Sequence, residues 1–291
     1  IVITNPEEAE KYVKEFKKLG YDFIKVYETL TRDVYDAIIE TAKKENIPVV
    51  GHVPSDVGIE IVLQSGQKSI EHLDEYTDSE KLYDMTIEND VWNCPTIVAY
   101  KSLYRAWQKE KSAGVEYLNP NHLPSWEFSM AILKGLIEGY NFNELNIEGI
   151  SQEKIDDYIK IFQSKVEDMK IITKNLYDNG GKILLGTDAG TEIVLPGFSI
   201  HDELYNLVEA GLTPYEAIKA GTYNAAEFLN ILDVAGTVEE NKNADLILLS
   251  ENPLEDITNM KKIEGVMIMG RWISKSEIDD MLNSRLRKYE R

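Results

Sequence analysis

Scarcity sets the first limits on this chain. A single cysteine, Cys94, stands among 291 residues, which excludes a disulfide framework and any cysteine-based zinc site. No apolar run reaches the ~18 residues that a membrane-spanning helix needs. Basic residues are few: Lys and Arg number 31 against 51 Asp and Glu, for a formal net charge of −20. Such a surface repels phosphate backbones and argues against a nucleic-acid partner. Histidine is confined to four positions, His52, His72, His122 and His201, and no His-x-His pair is among them. The opening Ile1-Val2-Ile3-Thr4 has no initiator Met and no basic leader. The chain therefore reads as the continuation of something longer, and any signal peptide would precede residue 1. Compartment is left open.

What is present is an ordinary globular composition, 43% hydrophobic and 28% charged, with length enough for one large domain or two. Helical and strand patterns alternate. A helix capped by Asn5, with Pro6 at its first position, opens the chain. Strand readings follow at 21–27, 47–53, 68–73, 91–97 and 182–188. Helix readings fall between them at 32–46, 56–66 and 79–90, and again at 151–179, where Ser151 is the expected cap. Three short helices come next, two of them read as closed by Gly211 and Gly221. From Asp233 the texture changes to strands joined by turns, before a charged helix at 276–290. Recurring strand–helix units of this kind mean a parallel sheet buried on both faces. The pattern breaks at 98–150, an aromatic and Asn-rich stretch expected to be a helical insertion, either a lid over the substrate or a decoration packed on the outside.

The strand ends carry the chemistry. "KILLGTDAG" (182–190) runs from an apolar strand into Asp188, set between small residues. Lys25, His52 and His72 hold equivalent places at the ends of the 21–27, 47–53 and 68–73 strands. Each has a plainer reading alone: a snorkelling lysine, two hydrogen-bonded core histidines, a capping aspartate. Together they put four ionisable groups on one end of a parallel sheet, the face on which a (β/α)8 barrel builds its active site. Imidazole and carboxylate suit zinc and similar divalent ions. Tyr27, two residues beyond Lys25, shares its side of the strand and is either a substrate contact or a core aromatic. His201 is either a substrate contact or a surface histidine at a helix start.

"DFIKVY", "GHV", "SIEH" and "GTD", followed by "AGLTPYEAIKAGTYNAAEFLNI" and "AGTVEENKNADLILLSENPLEDI", resemble the metal-dependent amidohydrolase superfamily, and within it the imidazolonepropionase-like and Xaa-Pro dipeptidase-like members. The resemblance implies an α/β fold: a TIM-like (β/α)8 metallohydrolase barrel, of which strands 4 to 8 are present, with the C-terminal part of a small β-sandwich. It implies a divalent metal, expected to be zinc, as one or two ions. Lys25 would be a carboxylated bridging lysine, His52 and His72 ligands of the second ion, and Asp188 both a ligand of the first and the general acid/base. Tyr27 and His201 would touch substrate. The implied reaction is hydrolysis of an amide, peptide or cyclic-amide C–N bond by a metal-activated hydroxide, on a small-molecule or dipeptide substrate.

The family's first barrel strand ends in His-x-His, and that motif is missing here. Strands 1 to 3 are therefore expected to lie outside this chain, and two unpaired sheet edges would favour association into a homo-oligomer. The expected organisation is a barrel portion at 1–232 with its insertion at about 98–150, a sandwich portion at 233–275 and a terminal helix at 276–291. Two alternatives stay open. One is a mononuclear deaminase or imidazolonepropionase type of hydrolase, should Lys25 remain unmodified. The other is a non-catalytic scaffold that kept the fold.

Overall fold

The computed structural model describes residues 1–107, 152–189, 194 and 196–286, and the chain divides into two compact units. The first comprises Ile1–Pro95 and Ile171–Leu184, the second Thr96–Lys170 and Leu185–Arg291. His122, Ser151 and the 98–150 insertion beyond residue 107 lie outside the described residues, as does 287–291 of the expected terminal helix.

In the first unit, α1 (Pro6–Leu19) begins as its sequence dictates. The Asn5 side chain accepts a hydrogen bond from the Glu8 amide at 2.9 Å, Pro6 takes the first helical position, and Gly20 closes the helix at φ +83°. The chain then alternates β1 (Ile24–Val26), α2 (Arg32–Glu45), β2 (Val49–Gly51), α3 (Ile59–Ser65), β3 (Ser69–Glu71), α4 (Glu80–Glu88) and β4 (Trp92–Cys94). The final part of α6 (Gln152–Asp178) and β5 (Lys182–Ile183) complete the unit. All five strands are parallel, in the order β1-β2-β3-β4-β5. Each strand thus lies beside its predecessor in sequence, the order of a barrel wall. Among the described residues the sheet is open, with β1 and β5 outermost.

The strands are apolar where they touch helices. Ile24, Val26, Val49, Ile70 and Ile183 are all buried, and helix residues Val34, Ile38, Val62, Leu63 and Leu176 are buried as well. The laddered stretches are much shorter than the extended segments read from sequence, because register exists only where a neighbour supplies it. β1 pairs with β2 over Ile24↔Val49 to Val26↔Gly51, and β4 with β5 over Trp92↔Lys182 and Asn93↔Ile183. Asp188 is therefore not at the end of a paired strand but five residues past Ile183.

The second unit contains α5 (Ile97–Trp107), the first part of α6, α7 (Ser199–Glu209), α8 (Pro214–Gly221) and α9 (Tyr223–Phe228). Helix α8 starts with a capping box. Thr213 accepts from the Glu216 amide while the Glu216 carboxylate accepts from the Thr213 amide, with Pro214 leading. Gly221 does not close this helix as expected. It is the last helical residue, and a Cβ there would meet Leu185 Cδ2 at 2.5 Å, so the glycine supplies room and not a left-handed turn. Farther on, β6 (Leu246–Leu249), β7 (Ile263–Ile268) and β8 (Arg271–Ser274) form one antiparallel sheet in that order. Helix α10 (Lys275–Leu286) follows. Of "AGTVEENKNADLILLS" (235–250), expected to be strand, only Leu246–Leu249 is. Gly265 is fixed in β7 by Trp272, whose ring carbons stand 2.2 Å from where a Cβ would be.

Candidate active site

The carboxyl ends of β1, β2 and β3 gather four of the six residues singled out by sequence. Along β1 exposure alternates: Ile24 and Val26 are buried and Lys25 lies on the other, open face. Tyr27 continues that face, and the Lys25 Nζ stands 5.9 Å from the centre of its ring, at the outer reach of a cation–π contact. The Tyr27 ring centre is in turn 4.3 Å from that of His52. His52 and His72 are neighbours, with ring centres 4.6 Å apart and planes inclined at 47°. Both imidazoles are buried, His52 at 9% and His72 at 5% exposure.

Local backbone explains how they get there. Each histidine is hung by its amide from an adjacent strand. The His52 N–H donates to the Val26 carbonyl at 3.2 Å, and the His72 N–H to the Cys94 carbonyl at 2.9 Å. Before His52 stands Gly51 at φ +127°, where a Cβ would fall 2.3 Å from the Val26 carbonyl oxygen. Only glycine lets β2 pass β1 that closely. His72 itself is left-handed at φ +63°, a conformation that costs a residue with a Cβ roughly 1–2 kcal/mol. Asp188, at φ +52°, shares the feature. Left-handed non-glycine residues are uncommon and concentrate at functional sites.

One nitrogen of the pair is left unmet. The His52 Nδ1 is buried with no hydrogen-bond partner, and a buried polar atom left unpaired is costly unless a ligand meets it. Glu71, beside His72, is engaged elsewhere: its Oε1 accepts from the Ser69 hydroxyl at 2.7 Å. Asp188 and His201 belong to the second unit. Asp188 is half-buried, and His201 sits in the first turn of α7, where burial holds its imidazole below the ordinary pKa and so neutral at pH 7.

One charged group was missed by sequence reading. Glu203 on α7 is fully buried, and its Oε1 accepts from the Ile97 amide at 2.9 Å while Oε2 accepts from the Val98 amide at 2.7 Å. Asn206 Nδ2 adds a third donor to Oε2 at 3.2 Å. Glu203 thus caps the start of α5 from a residue more than a hundred positions away. Burial pushes its carboxyl up to about 7, against the pull of those hydrogen bonds and of Lys101. A signal existed in the spacing: Glu203 shares the buried stripe of α7 with Asn206 and Leu207.

The amidohydrolase family model matches residues 27–273. This chain belongs to the amidohydrolase family. Ochratoxinase from Aspergillus niger is 29% identical to this amidohydrolase over 229 residues, covering 76% of the chain but 36% of that protein. An adenine deaminase from Clostridium botulinum is 27% identical over 121 residues, covering 42% of the chain and 19% of its own length. Among solved structures, a Xaa-Pro dipeptidase with bound methionine superposes at a TM-score of 0.65 with 23% identity, over 94% of the chain and 59% of that protein. A bottromycin amidohydrolase does so at 0.71 with 22% identity, over 98% and 63%. At such identities these two likenesses show the fold alone. The chain spans little more than a third of the curated ochratoxinase's length.

The family implies a divalent metal. Two imidazoles side by side, one with an unpartnered buried nitrogen, fit the nitrogen ligands of such an ion. Among the described residues, no three His, Cys, Asp or Glu side chains gather to hold one, so the histidine pair is a partial donor set.

Proposed function

We propose that this amidohydrolase hydrolyses a C–N bond in an amide, dipeptide or cyclic amide, on a TIM-like barrel with a small β-sandwich. The observation that carries the reading is the buried His52–His72 pair beside Lys25 and Tyr27 at the carboxyl end of a parallel sheet. His52 and His72 would hold the divalent ion, zinc being the best match to imidazole donors, with Lys25 as a carboxylated bridge and Asp188 as the carboxylate ligand. Asp188 enters through its motif. When bound, such an ion supplies polarisation of the scissile carbonyl and a water that ionises near neutral pH.

The chain's own residues do the rest. Asp188 accepts the proton of the attacking water as the new O–C bond forms. It returns that proton to the leaving nitrogen as the C–N bond breaks. Tyr27, packed on His52, presents its face and hydroxyl toward substrate. His201, neutral at pH 7, offers a donor and an acceptor without adding charge. A mononuclear variant is the second reading, in which Lys25 stays an unmodified cation beside the Tyr27 ring.

Elemental analysis of the purified protein, after removal of loosely held ions, separates these readings. About two zinc-like ions per chain supports the lysine-bridged centre, and about one supports the mononuclear centre. None in a folded sample overturns the proposal that this chain by itself carries a metallohydrolase site.

A further inference from the structure

The geometry points to Gln67 as the positioning residue that fixes how His52 leaves β2. This rests on the reading of His52 as a metal ligand. Gln67 lies in "QSGQKSIEH", just before β3, where a glutamine is expected to face solvent; instead it is 1% exposed. Its Nε2 stands 3.0 Å from the Gly51 carbonyl, 3.2 Å from the His52 carbonyl and 2.9 Å from the Ser69 carbonyl. These are the main-chain acceptors at the point where β2 ends: the β2–β3 ladder runs only over Val50↔Ser69 and Gly51↔Ile70.

The need for such a clamp follows from the neighbours. Gly51 is the least restrained residue type, and it immediately precedes the imidazole. The His52 Nδ1 is the nitrogen left open to an ion and has no hydrogen-bond partner to orient the ring, so the orientation that a metal-binding histidine needs must come from elsewhere. Here the main chain does that work: the His52 N–H is tied to Val26, and its carbonyl is tied to Gln67. The amide of Gln67 is itself oriented. The Tyr35 hydroxyl donates to Oε1 at 3.0 Å and stands 2.8 Å from the Ser65 hydroxyl, which donates to the Val62 carbonyl. Only the carboxamide oxygen can accept from Tyr35, so Nε2 must face the three carbonyls. The hydrogen-bonded chain Ser65–Tyr35–Gln67, buried at Tyr35 and Gln67, thus ends on the main chain of a candidate ligand.

The test uses Gln67→Leu, which keeps the volume and removes the donor, and the milder Tyr35→Phe, which removes only the hydroxyl that orients the amide. Two readouts are taken on folded protein: hydrogen exchange of the His52 amide without metal, and zinc affinity by calorimetry with zinc chloride alone. In Gln67→Leu the His52 amide is expected to exchange at least tenfold faster while the Ile38 and Ile39 amides of α2 keep their rates. Zinc affinity is expected to fall about tenfold to a hundredfold, as for other outer-shell ligands of metal-binding histidines. Tyr35→Phe should show a smaller change in the same direction. Unchanged His52 exchange in both variants overturns the proposal, and so does faster exchange with unaltered zinc affinity. Should the parent chain bind no zinc, the metal reading of His52 fails by itself, and the exchange experiment alone decides whether Gln67 positions His52.

Discussion

The carboxyl ends of the parallel strands and the three-stranded sheet of the second unit reverse the usual rule of burial in opposite ways. At the first, polar side chains are inside: His52, His72 and Gln67 are all buried, and all three sit at or beside glycine or left-handed backbone. At the second, apolar side chains are outside: β6 reads Leu-Ile-Leu-Leu, yet Ile247 and Leu248 are 52% and 55% exposed. Buried polar groups demand partners and are kept where chemistry uses them. Exposed apolar strands are interaction surfaces or aggregation liabilities. The contrast sets a polar cluster held inside against an apolar strand left in solvent.

The sharpest way to break the comparison is to empty the polar end. His72→Asn is the informative variant, because asparagine tolerates the left-handed φ that position 72 requires. It removes an imidazole donor without adding backbone strain. Zinc binding is expected to weaken by at least about a hundredfold, and any C–N hydrolysis to fall by about 10³-fold, or ~4 kcal/mol in the barrier. Circular dichroism and the unfolding midpoint should change little. A variant that keeps full metal affinity would reduce the histidine pair to core packing.

Glu203 tests whether the second unit also depends on a buried polar group. Replacing it with Ala strands the Ile97 and Val98 amides, with an expected loss of about 3 kcal/mol in urea unfolding. The pH dependence has a definite sign. The folded-state pKa, pushed up to about 7, lies above the ordinary carboxyl value of 4.5, so the folded protein holds this proton more tightly than the unfolded chain. The stability that Glu203 contributes is then full below pH 4.5 and lost as pH rises towards 7, by up to ~3 kcal/mol. Subtracting the unfolding free energy of Glu203→Gln from that of the parent between pH 4.5 and 8 isolates this slope. A flat difference would mean that the three hydrogen bonds, and not burial, set the pKa.

How much of this was legible in sequence depends on what fixes each feature. Hydrophobic period and punctuation place α1, α2 and the strand–helix order, since Asn5, Pro6 and Gly20 act locally. Strand limits were overextended because pairing is non-local. Leu185, for instance, gives its amide to the Ala220 carbonyl at the end of α8 and not to a strand. His52 and His72 stood out because two of only four histidines fall at strand ends, and Lys25 because it holds the equivalent place on the strand before. Gln67 and Glu203 did not, because a glutamine in a turn-like stretch and a glutamate in a charged helix look solvated until distant partners fold onto them. Gly221 was misread for the same reason: its requirement is room for Leu185.

The smallest expected effect belongs to the exposed sheet. Leu248 pairs with Gly265 across β6 and β7, and more than half of its surface is open. Leu248→Lys should leave the unfolding free energy within about 0.5 kcal/mol, because a solvated side chain is being exchanged for a solvated one. Trimming a single buried methyl, as in Ile70→Val on β3, should cost about 1 kcal/mol. If the apolar strand drives association, light scattering of Leu248→Lys at high concentration should show less of it than the parent, since an edge-strand lysine opposes strand-to-strand pairing. A destabilisation beyond about 1.5 kcal/mol would mean instead that β6 is covered in solution. Its apolar side chains would then belong with those of the first unit's core, and the two regions would differ in what they bury but not in how completely.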